Sequence, residues 1–474
     1  MNEYDVIVVG GGAVGENVAE RTVHGGLHTV IVEAELVGGD CSYWACMPSK
    51  ALLRSGIALR AAQKVRGAKE AVTGALDVPA VLARRNSFTH DWNDSSQAAW
   101  MAQEGIDLLR GHGRLTGPKT VAVTASDGTV TALTARHAVV ISTGSAALLP
   151  DIPGLRDAKP WTSRDTTSAQ EVPGSLAIIG GGVVAVEMAT AYASFGTHVT
   201  VLSRHGLLER TEPFAGEVVA ESLQRLGVQV RRGVSAAAVS RDDNGVVLEL
   251  EDGSTLRADE LLVATGREPR TADLGLESVG LTPGEWLNVD DTLRVNGLDW
   301  LYATGDVNHR VLLTHQGKYQ AHAAGDRITA VAAGSATDDG AWGAHVATAD
   351  HDAVPQVVFS DPEVASVGLT ADAADAAGYD IRVVDYDLGN VAGASLQADH
   401  YQGRARMVVD EARHIILGVT FVGQDVAELI HAATVAIVGE VPLDRLWHAV
   451  PAYPTMSEIW LRLLEEYGRP GTSH

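Results

Sequence analysis

The chain has 474 residues, of which 46% are hydrophobic, so about three domains with cores of their own are expected. Its formal net charge of -24 argues against nucleic acid and anionic membrane surfaces as partners, because both bind basic patches. The sequence contains no apolar run of about 18 residues, so no membrane span is expected. The first residues also lack the basic start of a signal peptide. Together with the scarcity of cysteine, this predicts a cytoplasmic protein.

A dinucleotide-binding pattern opens the chain. The β-branched run at 6–9 predicts a buried strand, and the turn after it carries Gly10, Gly12 and Gly15 before a helix. The next predicted strand ends in Glu33. Glycines at this spacing let the backbone approach a pyrophosphate at the helix N-terminus, and the acid can accept from a ribose hydroxyl. The full pattern of strand, turn, helix, strand and acid predicts a nucleotide site.

The two cysteines of the chain, Cys41 and Cys46, follow this pattern and lie five positions apart. A disulfide that closes so short a loop restricts the unfolded chain little, so redox chemistry is favoured over a structural crosslink. The segment between them includes Tyr43 and Trp44. These rings could line a pocket for a flat or apolar substrate, or they could simply pack in the core, and the sequence favours neither.

The nucleotide-binding pattern returns further along the chain. A predicted strand at 176–179 leads into a turn with Gly180, Gly182 and Ala185, then a helix and a second strand. Arg204 follows this second strand, where the first copy has an acid. An acid would repel a 2′-phosphate, whereas an arginine can bind one, so NADPH is favoured over NADH. The alternative is that Arg204 is only a surface charge beside a tolerant NADH site.

Small-residue turns end three further predicted strands. The first, at Thr143 and Gly144, follows a predicted helical stretch from about 51 to 113. The second contains Gly266, and the third ends in Asp306. Each turn can bring backbone close to a flat cofactor at the end of a strand. Two of them fall at similar distances after the two glycine-rich turns, which strengthens the prediction of two nucleotide sites.

These patterns predict an α/β protein with two Rossmann-like dinucleotide-binding domains and an α+β C-terminal domain. We expect a nucleotide-binding domain over 1–150, which resumes over 271–345 and encloses the second nucleotide-binding domain over 151–270. A Gly-, Ala- and Asp-rich stretch at 334–353 predicts a linker or exposed turn. The composition changes after it, so the C-terminal domain is expected over 346–474.

Taken together, the motifs resemble those of the FAD-dependent pyridine nucleotide–disulfide oxidoreductases, the group of glutathione reductase, lipoamide dehydrogenase and mercuric reductase. The resemblance covers nearly the whole chain. It rests on the following segments: Gly10 to Gly15 with Glu33, Cys41 to Cys46 with Lys50, Gly180 to Ala185 with Glu187, Ala264 to Arg267, Thr304 to Asp306, and Pro454 to Glu458.

The resemblance implies a path for electrons. FAD would bind the first nucleotide pattern, with Asp306 on its ribityl chain, and NADPH or NADH the second. Hydride would pass to the flavin and then open a redox-active disulfide, with Cys46 as the charge-transfer thiolate and Cys41 as the exposed interchange thiol. Lys50 and Glu187 match an ion pair near the reactive flavin nitrogen. The family C-terminal domain implies a homodimer whose active sites include residues of both subunits.

The C-terminal motif departs from the thiol-reducing members of the family. They carry a proton-shuttling histidine before a proline, whereas this chain has Tyr453, with Glu458 five residues later. Tyrosine titrates near pH ~10 against ~6.5 for histidine, so it is a poor base at neutral pH. His448 lies nearby in sequence, but the prolines at 451 and 454 predict an extended segment that would point it elsewhere.

Three functions follow from these features. The leading one is an NADPH-dependent FAD enzyme that reduces a quinone, a metal ion or another small-molecule electron acceptor through Cys41 and Cys46. The second is a disulfide reductase for a small thiol, and the third a component of a multienzyme complex, as lipoamide dehydrogenases can be. Mercuric reductases are similar in having tyrosine at this place, but they carry an extra C-terminal cysteine pair that is missing here. No resident metal site is predicted.

Overall fold

The computed structural model describes residues 2–469, and their contacts divide the chain into two units. Of the described residues, the first comprises 2–48, Arg85–Leu148 and Gly266–Asp350. The second comprises Ser49–Arg84, Leu149–Thr265 and 351–469. Among the described residues, no helix is both long and apolar enough to cross a membrane.

Helices and strands alternate through most of the chain. The helices are α1 (Ala13–His24), α2 (Gly39–Tyr43), α3 (Cys46–Gln63), α4 (Ala68–Ala71), α5 (Val78–Phe88), α6 (Ser95–Gln103), α7 (Ser163–Ser168), α8 (Val183–Ser194), α9 (Pro213–Arg225), α10 (Thr314–Ala332), α11 (Ala349–Asp352), α12 (Ala371–Ala376), α13 (Ala392–Gln397), α14 (Ile430–Val438), α15 (Leu443–Leu446) and α16 (Ile459–Tyr467). The strands are β1 (Asn2–Val9), β2 (Thr29–Glu33), β3 (Asp107–Arg110), β4 (His112–Gly117), β5 (Thr120–Thr124), β6 (Val130–Ile141), β7 (Ser145–Ala147), β8 (Ser175–Ile179), β9 (His198–Ser203), β10 (Gln229–Arg232), β11 (Ala236–Asp242), β12 (Gly245–Leu250), β13 (Thr255–Ala258), β14 (Glu260–Val263), β15 (Arg267–Pro269), β16 (Leu301–Ala303), β17 (Gln356–Val358), β18 (Glu363–Gly368), β19 (Ile381–Asp387), β20 (Arg404–Asp410) and β21 (Ile415–Gly423).

A seven-stranded sheet forms the centre of the first unit. Its order is β3-β2-β1-β6-β5-β4, and β16 pairs with β6. The strands around β1 are parallel, with Val6 opposite Thr29 and Ala138, so the β-branched run of β1 is buried on both faces. Because parallel strands end at one edge of the sheet, the glycine-rich turn after β1 and the acid of β2 are neighbours there.

Three sheets build the second unit. One is a parallel sheet in the order β10-β9-β8-β14, and α8 packs against its strands β8 and β9. Another is an antiparallel sheet formed by β11, β12 and β13. The C-terminal part contains a five-stranded antiparallel sheet in the order β17-β18-β21-β20-β19. Every residue of β21 is buried, since that strand lies inside the sheet under flanking helices.

The predicted mixed α/β fold class is confirmed. The predicted helical stretch to about residue 113 is too long, because α6 ends at Gln103 and the next residues form β3. Residue Asp107 pairs with Val30, so this segment extends the parallel sheet of the first unit. A pairing partner that is distant in sequence overrides a local helical preference here.

Candidate active site

Cys41 lies on α2, and Cys46 begins α3. Both thiols are partly buried, and their side chains are joined by a hydrogen bond. The hydroxyl of Thr314, at the start of α10, is 3.3 Å from Cys46 Sγ. The hydrogen bond to Cys46 and burial raise the pKa of Cys41, while Thr314 and the charge of Lys318 act in the opposite direction. The structure therefore brings the two cysteines together with a hydroxyl that sequence reasoning missed.

Tyr43, between the cysteines, is a packing residue. Its side chain is fully buried, and its hydroxyl donates to Gln97 Oε1 at 2.8 Å. The indole of Trp92 donates to the backbone oxygen of Tyr43 at 3.1 Å. Trp44 is half-buried, with its ring edge-on to Tyr43 at 5.7 Å. Of the two interpretations that the sequence left open, core packing is therefore the correct one for Tyr43.

The turn between β1 and α1 suits a bound diphosphate. Gly10 has a φ of +105°, and a Cβ on Gly15 would overlap the Gly10 carbonyl oxygen, so both positions need glycine. A Cβ on Gly12 would instead make only an ordinary van der Waals contact, with Gly39 Cα at 3.9 Å. Gly12 lies at the N-terminus of a twelve-residue helix, where amide groups and the helix dipole favour an anion. Glu33 Oε2 accepts from the backbone N–H of Gly11 at 2.6 Å, which fixes the acid beside this turn. The geometry fits the adenosine diphosphate part of FAD.

Asp306 belongs to a polar network in the same unit. It accepts from the Ser145 hydroxyl and lies 3.5 Å from Arg267 Nε. Arg267 also contacts Asp40, the neighbour of Cys41, at 3.4 Å. The sequence suggested Asp306 but not Arg267 as a site residue, although Arg267 directly follows the turn at Gly266.

The small-residue turn at Thr143 and Gly144, also in the first unit, is open to a ligand. Thr143 donates through its hydroxyl to the Arg270 carbonyl at 3.0 Å, which holds the turn. Gly144 has no heavy atom within 4 Å of where a Cβ would stand. Gly266 lies just before β15, and its carbonyl accepts from the Leu148 N–H at 3.0 Å. The glycine at 144 thus leaves room for a flat group.

The second glycine-rich turn lies between β8 and α8. It contains Gly180 and Gly182, and Ala185 lies in the first turn of α8 with its methyl group fully buried. A Cβ on Gly182 would meet no atom, so this helix N-terminus is also open to a diphosphate. Arg204 follows β9 and is exposed. Arg232 ends the neighbouring strand β10 opposite Ser203, which sequence reasoning missed because the pairing of β9 with β10 was not predicted.

Lys50 and Glu187 form an ion pair in the second unit. Lys50 Nζ is 2.8 Å from Glu187 Oε2, and the carboxylate is only 3% exposed. Glu187 also accepts from the backbone N–H of Phe359 at 3.0 Å, and the Lys50 ammonium lies 5.0 Å from the centre of the Phe359 ring. A buried carboxylate with these partners holds the lysine charge at a fixed place.

Tyr453 and Glu458 lack the pairing that the family motif suggests. The Tyr453 side chain is 75% exposed, whereas Glu458 is 4% exposed. Glu458 Oε1 accepts from Arg462 at 2.8 Å, one turn along the chain. The acid is therefore engaged by an arginine rather than by the residue at 453. His448 is exposed, and Pro454 follows Tyr453 through a cis peptide bond.

The chain is similar to known flavoenzymes over almost its whole length. The family model "Pyridine nucleotide-disulphide oxidoreductase" matches residues 4–326, and the model for the dimerisation domain of that family matches residues 354–463. A mercuric reductase from Acidithiobacillus ferrooxidans is 32% identical over 461 residues, or 96% of this chain and 81% of that protein. A dihydrolipoyl dehydrogenase from Chlorobaculum tepidum is 33% identical over 465 residues, or 96% of this chain and 95% of that protein.

Solved structures give the same result. The HOCl-induced flavoprotein disulfide reductase RclA from Escherichia coli matches with a TM-score of 0.82 and 25% identity, covering 98% of this chain and 99% of the other. The expected family is thus confirmed, and with it an enzyme that uses FAD and NAD(P)H. The chain belongs to the pyridine nucleotide-disulphide oxidoreductase family.

Proposed function

We propose that this enzyme takes electrons from NADPH and reduces a quinone or a metal ion through the Cys41–Cys46 pair. FAD, when bound, supplies the two-electron chemistry that links the nicotinamide to the cysteines. The observation that carries the proposal is the C-terminal motif, where Tyr453 replaces histidine and Glu458 is bound to Arg462. The similarity to proteins named mercuric reductase is in line with a metal-ion acceptor.

The proton requirement separates the acceptor classes. A thiol product needs a proton on its departing sulfur, and a base with a pKa near the working pH serves this best. Tyrosine titrates about three pH units above neutrality, so Tyr453 is poorly suited to this transfer. A metal ion accepts electrons without a proton, and a hydroquinone can take its protons from water. The motif therefore favours acceptors other than disulfides.

Three cationic or titratable side chains support NADPH as the electron donor. Arg204 and His205 follow β9, and Arg232 ends the adjacent parallel strand, so all three lie at one edge of the sheet. The ribose of a dinucleotide is bound at this edge, where a 2′-phosphate would be attracted by positive charge. We further propose a cytoplasmic homodimer, which the match to the dimerisation domain supports.

A dihydrolipoyl dehydrogenase-like activity is the second candidate. It is favoured by the similarity to the Chlorobaculum tepidum protein, which extends over 96% of this chain and 95% of that one. In this case the small disulfide substrate would obtain its protons from Tyr453 or water. The enzyme could then also work inside a multienzyme complex.

An acceptor screen distinguishes the two functions. The purified holoenzyme is reduced with NADPH without oxygen, and its reoxidation is followed with lipoamide, oxidised glutathione, a fully substituted benzoquinone and Cu²⁺ or Hg²⁺ salts. We expect rapid reoxidation by a quinone or metal ion and slow reoxidation by both disulfides. The reverse order would overturn the proposal and support the second candidate. The variant Cys41→Ser should lose the activity if electrons leave through the cysteine pair.

The choice of nucleotide has its own test. Arg204→Glu should raise KM for NADPH about tenfold or more while changing KM for NADH little, because the substitution places a repelling charge beside the 2′-phosphate. Arg225→Glu, on an exposed part of α9, is a matched charge reversal. Equal effects of Arg204→Glu on the two nucleotides would exclude a 2′-phosphate contact.

A further inference from the structure

The helix that carries Cys41 is too short to hold its own position. α2 has five residues, from Gly39 to Tyr43, and isolated helices of this length are unstable in water because helix nucleation is unfavourable. Contacts with other parts of the first unit must therefore keep Cys41 close to Cys46, which begins the next helix.

Asp40, the residue before Cys41, lies between two arginines. Its Oδ2 atom is 3.4 Å from Arg267 Nη2, and its Oδ1 atom is 3.7 Å from Arg270 Nη2. The three side chains are between 25% and 33% exposed, so solvent screens these ion pairs only in part. A carboxylate held by guanidinium groups restrains the first turn of α2.

Arg267 is itself held by a two-stranded ribbon. β15 pairs with β7 in an antiparallel ladder that sets Arg267 opposite Ala147. The Arg267 guanidinium donates to the Ser145 carbonyl at 2.8 Å, and its Nε donates to the Ser145 hydroxyl. Because strand pairing and both hydrogen bonds act on one residue, Arg267 is a firm anchor for Asp40.

Ser145 connects this anchor to Asp306, the residue expected on the ribityl chain of FAD. The buried Ser145 hydroxyl donates to Asp306 Oδ2, and Arg267 Nε lies 3.5 Å from the same oxygen. One hydroxyl can accept from an N–H and donate its own proton, so both hydrogen bonds form together. Polar contacts thus run without a break from Asp306, through Ser145 and Arg267, to the residue before Cys41.

We propose that Arg267 is a positioning residue for the redox pair: by holding Asp40, it keeps α2 where the Cys41 thiol can reach Cys46. Two thiols that are held close together form a disulfide at a high effective concentration, and a loosened α2 would lower that concentration. The inference goes beyond the proposed function, because it concerns how the pair is held and applies to any electron acceptor.

The equilibrium between the two thiols and their disulfide measures this role. The FAD-loaded enzyme is equilibrated without oxygen in mixtures of reduced and oxidised dithiothreitol, then treated with a maleimide, and its mass is measured. The S–S bond of oxidised dithiothreitol breaks as the Cys41–Cys46 bond forms, and its sulfurs take the two electrons and the two protons. The chain has no other cysteine, so two adducts or none report the state of the pair.

Arg267→Met and Asp40→Ala should each lower the equilibrium constant for disulfide formation about fivefold or more, because each removes the same anchor. Charge alone would shift the variants in opposite directions. Loss of the arginine would disfavour the thiolate and raise the constant, whereas loss of the aspartate would favour the thiolate and lower it. The double variant should lose no more than one single variant does, since both residues act through one contact. Arg267→Lys should recover part of the loss.

Arg136→Met is the matched control, since Arg136 forms an exposed ion pair with Glu3 in the same unit. It should leave the equilibrium constant unchanged. Retained flavin absorbance and Tm check that each variant folds, and Arg267→Gln, with the same expected loss, replaces Arg267→Met if that variant does not.

Opposite shifts in the Arg267 and Asp40 variants, or additive losses in the double variant, would overturn the inference. A wild type whose two thiols form no disulfide would overturn it as well. The measurement uses no electron acceptor, so its result stands even if the enzyme reduces neither quinones nor metal ions and the proposed function fails.

Discussion

At the scale of single residues, Glu187 contacts two groups that are distant from it in sequence. Its carboxylate binds the Lys50 ammonium and the backbone N–H of Phe359, which are 137 and 172 positions away in sequence. A buried carboxylate is costly without such partners, and each partner is left unsatisfied when the carboxylate is removed. Its contribution to stability can therefore be measured apart from any role in catalysis.

We expect Glu187→Ala to lower the free energy of unfolding by about 2–4 kcal/mol, because it leaves the Phe359 N–H and the Lys50 charge unpaired. Glu187→Gln should cost less, about 1–2 kcal/mol, since the amide oxygen can still accept from Phe359. Urea denaturation of the holoenzyme measures both. Glu440→Gln, in an exposed pair with Arg413, should change little. Equal losses for the three variants would contradict this account.

Glu16 makes the stability depend on pH. Its pKa is about 7 in the folded chain against 4.5 for a free side chain, so the folded state holds the proton more strongly. The contribution of Glu16 to stability is therefore fully present below pH ~4.5, is lost as the pH rises toward 7, and stays absent above it. Glu16→Gln should remove this loss, and so stabilise the protein by about 2–3 kcal/mol at pH 8 and by little at pH 5. Thermal unfolding at both pH values tests this, and an equal effect at both would refute it.

At the level of elements, the two glycine-rich turns differ in the packing of the helix that follows. In α1 a Cβ on Gly15 would overlap the Gly10 carbonyl oxygen, whereas α8 accommodates the methyl group of Ala185 at the corresponding position. The third glycine of the pattern is thus needed where the helix lies close to the turn. Gly182 has no such neighbour and borders open space.

These differences predict separate effects of adding one methyl group. Gly15→Ala should lower Tm markedly and release FAD, because the helix must move away from the turn. Gly182→Ala should leave Tm nearly unchanged but raise KM for NADPH, because the new methyl group occupies space that a diphosphate would fill. Thermal unfolding, retained flavin absorbance and steady-state kinetics distinguish these results. A similar loss of Tm in both variants would show that the turns are equivalent.

For the whole molecule, the C-terminal part exposes apolar side chains that suit an interface. On α14, Val435 is 56% exposed and Val438 is 41% exposed, and the two lie three positions apart, on one face of the helix. Val450 and Tyr453 add further exposed apolar surface. Such surface is usually covered by a partner, in agreement with the match to a dimerisation domain.

We expect sedimentation equilibrium to give twice the mass of one chain for the wild type. Val435→Asp combined with Val438→Asp should shift the equilibrium to monomer, because the charges would be buried in the interface. Val331→Asp, at a valine of α10 with a similar exposure of 51%, should remain dimeric. A monomeric wild type, or a dimer that withstands the double substitution, would contradict this prediction.

The sequence by itself determined the family, the two nucleotide-binding turns and the pair of cysteines. Each of these features depends on residue types at fixed short spacings, so turn geometry and strand periodicity reveal them without knowledge of the fold. The absence of histidine at 453 was equally visible. The burial of β1 is also visible in local pattern, because a continuous β-branched run is typical of a strand covered on both faces.

Only the tertiary structure decided which side chains are buried and which groups meet. Thr314 contacts Cys46 from 268 positions away, and Tyr43 is covered by residues far along the chain. Glu16 looks like an ordinary surface acid in the sequence, yet packing against its neighbours leaves one oxygen buried without a partner. Burial and long-range contact arise from the packing of whole elements, and a change of pKa follows from both, so short-range pattern cannot predict them.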